Sequence, residues 1–197
     1  MSVFKKDHFS PKGLLMWSYV FTPDSGGKYS DDKYKVKLRL YGDEAQKMIE
    51  MIESFIPEAA EYLEKAEGDI KGMPYAQAVD KDGKDIAGAF DFTLKTKNAP
   101  LVIDAKKRTV TKKMLPDFKD GRILGEGVVA FKPHAWTVKR ESGLGLYLQA
   151  VQIIERQGGV DMSKFGEYDD GFTADDSVSS FDDGDGEEDD TPDFATK

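Results

Sequence analysis

Cysteine is absent from all 197 residues, which removes disulfides, thiolate nucleophiles, Cys-ligated zinc and iron–sulfur clusters. A chain indifferent to redox state fits a reducing cytoplasm. Histidine is scarce: only His8 and His134 occur, far apart and without sulfur partners, so a histidine zinc site is not expected. No G-x-S-x-G elbow, Walker loop or dinucleotide fingerprint is present, and no cofactor is implied. Nowhere does an apolar run approach the roughly 20 residues of a membrane span, and the N-terminal MSVFKKDHFSPKG lacks a signal-peptide core. Neither export nor insertion is expected. The lack of an internal repeat excludes a solenoid or propeller.

The net charge of −9 conceals a split. Residues 161–197 hold fourteen Asp and Glu against Lys164 and Lys197, leaving 26 basic and 23 acidic residues in 1–160. A body of +3 thus carries a tail of −12. Such a body attracts a polyanion, single-stranded nucleic acid first among them, while a tethered acidic segment competes for the same surface and recruits basic partners. The expected organisation is one domain over 1–160 and an acidic interaction tail over 161–197. Beyond Gly158-Gly159 hydrophobic periodicity ends, and the Gly-, Ser- and Asp-rich remainder buries too little to offset its ordering entropy; disorder is expected from about residue 166. Phe172, Phe181 and Phe194 punctuate it, a pattern suited to docking in a partner's basic-rimmed pocket.

Leu14 to Phe21 reads as a strand ended by Thr22-Pro23-Asp24, with Trp17, Tyr19 and Phe21 assigned to the core. From Tyr34 to Tyr41, Val36, Leu38 and Leu40 alternate with Lys35, Lys37 and Arg39, which sets a core face against a cationic face. Asp43 reads as a helix cap, followed by helical spacing from Ala45 to Leu63 that Pro57 should kink or divide. Residues 67–89 read as a surface excursion. Phe90, Phe92 and Leu94 alternate with Asp91, Thr93, Lys95 and Lys97 in a third strand, and Leu101-Val102-Ile103 begins a short one. A hairpin-like segment follows, with Lys106, Lys107, Arg108, Lys112 and Lys113 too dense to be buried. The run ending at Lys132-Pro133 reads as a strand, with His134, Trp136, Lys139 and Arg140 in the next loop. The last strand, Leu146 to Ile154, needs a bulge near Ala150 to keep Leu146, Leu148, Val151 and Ile153 together, which turns Tyr147 and Gln149 outward. Five or so strands with one capping helix after the second imply a mainly β, OB-fold-like barrel with a disordered acidic tail.

Aromatic rings stack on any base while Lys and Arg track phosphates. Their interleaving over Phe131 to Arg140, with Tyr147 facing the same way, nominates Phe131, Trp136 and Tyr147 as stacking residues. Lys35, Lys37, Arg39, Lys95, Lys97, Lys106, Lys107, Arg108, Lys112, Lys113, Lys139 and Arg140 are the phosphate candidates. Two alternatives stay open on these residues. Asp91 with Asp104-Ala105-Lys106 mimics the acid and acid-x-Lys arrangement of divalent-metal nucleases, and an acidic protein that mimics DNA would bind basic enzymes and ignore oligonucleotides.

Several blocks together carry a family likeness. They are Gly13 to Asp24, Tyr34-Lys35-Val36-Lys37-Leu38, Leu101-Val102-Ile103-Asp104-Ala105-Lys106, Pro133-His134-Ala135-Trp136 (compare Pro-Tyr-x-Trp) and Gly145 to Glu155. With the tail, the chain resembles the replication single-stranded DNA-binding proteins of tailed bacteriophages, the gene-2.5-type family of T7-like phages and its relatives. The resemblance implies a non-catalytic OB-fold protein of DNA replication, recombination and repair. It would work in the cytoplasm of the infected bacterium, often as a homodimer, coating and annealing single strands. It also implies a tail, here Asp182, Asp183, Asp185, Glu187, Glu188, Asp189, Asp190, Asp193 and Phe194, that contacts the replicative polymerase and helicase–primase. One departure stands at the end: Ala195-Thr196-Lys197 follows Phe194, where the family finishes on an aromatic residue.

Overall fold

The computed structural model describes residues 4–28 and 30–156. The chain divides into two units, 1–159 and 160–197; the second, with its nominated acidic residues and Phe194, lies outside the described residues. Eleven strands and helices follow one another as β1 (His8–Phe9), β2 (Gly13–Asp24), β3 (Lys33–Tyr41), α1 (Gly42–Glu53), α2 (Ile56–Leu63), β4 (Ile70–Gly72), β5 (Tyr75–Val79), β6 (Asp85–Thr96), β7 (Leu101–Ile103), β8 (Gly125–Val138) and β9 (Glu141–Arg156).

Five of these close a ring. β2 pairs with β3, β3 with β6, β6 with β9, β9 with β8, and β8 returns to β2. The order first, second, third, fifth, fourth is an OB-like Greek key. Four of the joints are antiparallel, and β6–β9 is parallel and the shortest, with only Leu94↔Leu146 and Lys95↔Tyr147 in register. The short strands are appended: β1 to β8, β4 and β7 to β9, β5 to β6.

Alternation fills the interior as the sequence predicts. Val36, Leu38 and Leu40 from β3, Phe92 and Leu94 from β6, and Leu146, Leu148, Val151 and Ile153 from β9 are all buried. β9 keeps both of its apolar pairs inside because the register against β8 slips between Ala130↔Ala150 and Phe131↔Leu148, which leaves Gln149 as the extra residue of the expected bulge. The helices close the ring after its second strand, burying Ala45, Met48, Ile49 and Ile52 from α1 and Ala59 and Ala60 from α2. They separate at Ser54–Phe55, so Pro57 falls in the first turn of α2, where its missing N–H goes unmissed.

Three expectations change. Asp43 does not cap α1: Tyr41 occupies the cap position, and Asp43 and Glu44 lie in the first turn, where their charge meets the positive end of the helix dipole. Residues 67–89 contain β4 and β5, too short and too poor in alternating apolar residues to register as strands. β8 does not end at Lys132-Pro133 but runs to Val138. Past Phe131 it pairs with β9 alone among the described strands, so a proline that cannot donate is tolerated on the side away from β9.

Candidate nucleic-acid interface

Strand register assembles the outer face. Tyr19 on β2 stands opposite Lys35 on β3, Lys35 opposite Lys95 on β6, Lys95 beside Tyr147 on β9, and Tyr147 opposite Lys132 on β8. A single row five strands wide therefore mixes aromatic rings with ammonium groups. The Lys35 ammonium lies 5.6 Å from the centre of the Tyr19 ring.

Over the β6–β9 joint the face is concave, forming a groove of about 720 Å³. Lys33, Lys95 and Lys97 line it together with His134, Trp136 and Tyr147, and Met73, Thr93, Asn98 and Gln149 are among its other lining residues. The rings are held before any ligand arrives. His134 and Tyr147 stack with centroids 3.8 Å apart and planes inclined by 14°, and the Trp136 Nε1–H donates to the Leu144 carbonyl at 3.0 Å. Both β8 rings in the groove also rest on a glycine: a Cβ at Gly72 would come within 2.4 Å of Trp136 Cζ2, and one at Gly145 within 2.2 Å of His134 Cε1. A Gly72→Ala chain, although it touches no ligand itself, should therefore displace the indole and weaken oligonucleotide binding about tenfold, the value of one lost stacking contact. Near-UV circular dichroism and an anisotropy titration check the two halves of that expectation.

The cations are not equivalent. Lys33 and Lys97 make no ion pair with a described residue, and Lys37, 37% exposed, has only a long contact of 3.9 Å to Asp91. Lys95 pairs with Asp31 at 2.8 Å. Lys35 is enclosed between Asp24 and Asp31, and the Arg39 guanidinium donates to both oxygens of Asp91, Nε at 2.7 Å and Nη2 at 3.0 Å, and to the Val79 carbonyl. Burial pushes the Asp31 carboxyl up, yet hydrogen bonds from Lys95 and Lys35 prevail and hold it at about 2. The outer face of β3 is thus half tied into the wall and half open to phosphate.

Burial foremost, with the charge of Lys33 adding to it, lowers the His134 imidazole to about 4. Its ring is neutral at physiological pH. The unfolded chain takes up the proton first, near pH 6.5, so the neutral ring's contribution to stability is intact above that pH. It declines toward pH 4, by on the order of 2 kcal/mol. Denaturant unfolding of the protein and of His134→Gln between about pH 7 and pH 4.5 should show the steeper loss in the unsubstituted chain.

Of the nominated residues, Lys95, Lys97, Trp136 and Tyr147 meet in this groove. Others do not. Phe131 is fully buried, because the inward phase of β8 that places Val129 in the core carries Phe131 with it, so it packs the barrel and cannot stack on a base. Lys106, Lys107 and Arg108 belong to a turn in which the Asp104 carboxylate accepts the backbone N–H groups of Lys106 and Arg108 and the Arg108 guanidinium. Lys112 pairs with Asp120 at 2.6 Å, and it and Lys113 open a short 3-10 turn. Lys139 and Arg140 form the two-residue turn between β8 and β9; Arg140 lines a separate recess with Lys65 and Lys71. The nuclease constellation comes apart: Asp91 is held by Arg39 near the Leu94↔Leu146 end of β9, whereas Asp104 follows Ile103, paired with Gln152 near the other end. Lys33 is the lining cation that the sequence did not nominate, and His134, which the sequence placed beside Trp136, joins the groove's rings. Lys33 lies one alternation ahead of the recognised cationic strand, a signal that was available. Trp17, assigned to the core, is 56% exposed.

No protein-family model matches the chain, and no curated protein sequence does. Solved structures do match. The crystal structure of gp2.5, a single-stranded DNA binding protein encoded by bacteriophage T7, aligns with TM-score 0.55 and 22% identity over 86% of this chain and 99% of that one. The fold is shared. The single-stranded DNA-binding protein from bacteriophage Enc34 in complex with ssDNA aligns with TM-score 0.61 and 13% identity over 80% of this chain and 97% of that one. Its C-terminal truncation gives 0.59 and 13% over 81% and 98%. The OB-like barrel expected from strand count and helix position is thus present in the ring order and in these likenesses.

Proposed function

We propose that this protein binds single-stranded DNA in phage DNA replication, holding the strand in the groove over the β6–β9 joint. The observation that carries the reading is the convergence there of Lys33, Lys95 and Lys97 with the fixed rings of Trp136, Tyr147 and His134. Stacking rings and phosphate-tracking ammonium groups in one concave surface are the chemistry of sequence-tolerant single-strand binding. Likeness of fold to two phage proteins of that activity supports it. In this reading Lys33, Lys95 and Lys97 take phosphates, Trp136 and Tyr147 take bases, Lys37 continues the path, and Lys35 and Arg39 hold the wall they stand on. The role is non-catalytic: coating, protecting and annealing strands during replication, recombination and repair in the infected cell's cytoplasm.

The acidic residues from Asp182 to Asp193 would compete with DNA for the groove and, with Phe194, recruit the replicative polymerase and helicase–primase. Assembly as a homodimer completes the proposal. Anisotropy titrations with labelled oligo-dT of about 12 nucleotides, a length within the 4–16 bound per OB-fold, and with duplex of equal length test it. Tight binding to the single strand is expected at low salt. Indifference to both overturns the reading and favours the DNA mimic. Deleting residues from 166 onward should tighten binding at low salt, and an unchanged affinity would remove the tail as competitor.

A further inference from the structure

Trp17 is misplaced for a structural residue. The ladder between β2 and β3 runs Met16↔Lys37 and then Tyr19↔Lys35, so β2 advances three residues against two and bulges. Two consecutive side chains, Met16 and Trp17, then avoid the core, while Ser18 is wholly buried. Trp17 adopts φ 46°, a left-handed conformation in which a bulky side chain is an outlier and which glycine or asparagine occupies readily. The indole nevertheless stays 56% exposed. Backbone strain of this kind persists where the surroundings enforce it, and it concentrates at ligand-contacting positions.

Register connects this ring to the groove twice. Met16 faces Lys37, and Lys37 faces Thr93, a groove residue. Tyr19 faces Lys35, Lys35 faces Lys95, and Lys95 lies beside Tyr147, the last two also in the groove. Trp17 stands between the two rows, two strand spacings or roughly 10 Å from the β6 wall. The cation between Trp17 and that wall is Lys37, 37% exposed and only loosely paired with Asp91. An exposed ring beside a loosely held ammonium group offers one base a face and one phosphate a counter-charge.

We propose that Trp17 is a second stacking platform: a single strand leaving the groove at Thr93 and Lys95 crosses β3 over Lys37 and stacks a base on Trp17. The proposal rests on the groove reading and extends its path across the barrel. A strand that fills only the groove would not reach it.

The test uses oligo-dT of about 4 and about 12 nucleotides, the lower and middle part of the range for one OB-fold. Trp17→Asn should bind the longer oligonucleotide about tenfold more weakly, bind the shorter one as the unsubstituted chain does, and melt no lower, because asparagine tolerates the positive φ. A structural role would instead lower Tm and weaken both equally. Since the chain has two tryptophans, Trp136→Phe isolates the Trp17 emission, which the longer oligonucleotide should quench and the shorter leave unchanged. Equal affinity of Trp17→Asn and the unsubstituted chain for the longer strand overturns the proposal and leaves the groove reading standing. Failure of the unsubstituted protein to bind either oligonucleotide defeats the groove reading itself.

Discussion

With Lys33, Lys95 and Lys97 replaced by alanine, binding to oligo-dT falls about 500-fold at roughly 50 mM salt, and the dependence on salt flattens. The size follows from counterion release. For single strands, log K changes with log salt by about −0.7 for each phosphate neutralised, so three lost contacts reduce the slope by about 2 and remove roughly eightfold apiece at that salt concentration. Lys33 and Lys97 make no ion pair with a described residue, and the Asp31 partner of Lys95 retains Lys35, so the wall survives the change. Alanines at Lys106, Lys107 and Lys113, cationic but away from the groove, should alter neither quantity. Titrations across about 50 to 300 mM salt decide it, and an unchanged slope in the groove variant removes these lysines from the phosphate path.

Arg39→Ala behaves in the opposite way, with a large loss of stability and an unchanged salt slope. Its guanidinium and Asp91 are about nine-tenths buried and doubly hydrogen-bonded, so truncation abandons a carboxylate in the wall; removing one partner of such a pair costs about 3–5 kcal/mol. For a domain of this size that lowers Tm by roughly 10 °C. Asp91→Asn in the same background should recover part of the loss, since the double variant no longer buries a lone charge. Lys37→Ala, two residues away, should leave Tm nearly unchanged and reduce the slope by about 0.7. The contrast within one alternating strand is the sharpest test of which cations are free to take a phosphate.

That contrast also marks where sequence reading stops. Alternation in β3 announced a cationic face, but partners from Asp24, Asp31 and Asp91 decide how much of it is free, and those come from a neighbouring strand, a loop and β6. The inward faces of the main strands, the helix position and the β9 bulge were legible because apolar spacing alone constrains them, whereas the pairing order of the ring was not. Trp17 and Phe131 exchanged roles for a local reason: one extra residue in β2 turns Trp17 out, while β8, straight through Pro133, keeps Phe131 in. Neither a bulge in a run of β-formers nor a proline inside a strand has an unambiguous sequence sign. The groove depends on glycines 72 and 145 meeting rings distant in sequence or across a hairpin, a pairing only the folded chain reveals.

The β6–β9 joint, two rungs long, is where the cylinder is most weakly sewn. Lys95 and Lys97 belong to one lip of that seam and Tyr147 to the other, with Trp136 beside it. A polynucleotide lying along the seam would grip both lips at once and serve as thread, so its binding would itself hold closed the joint on which it lies.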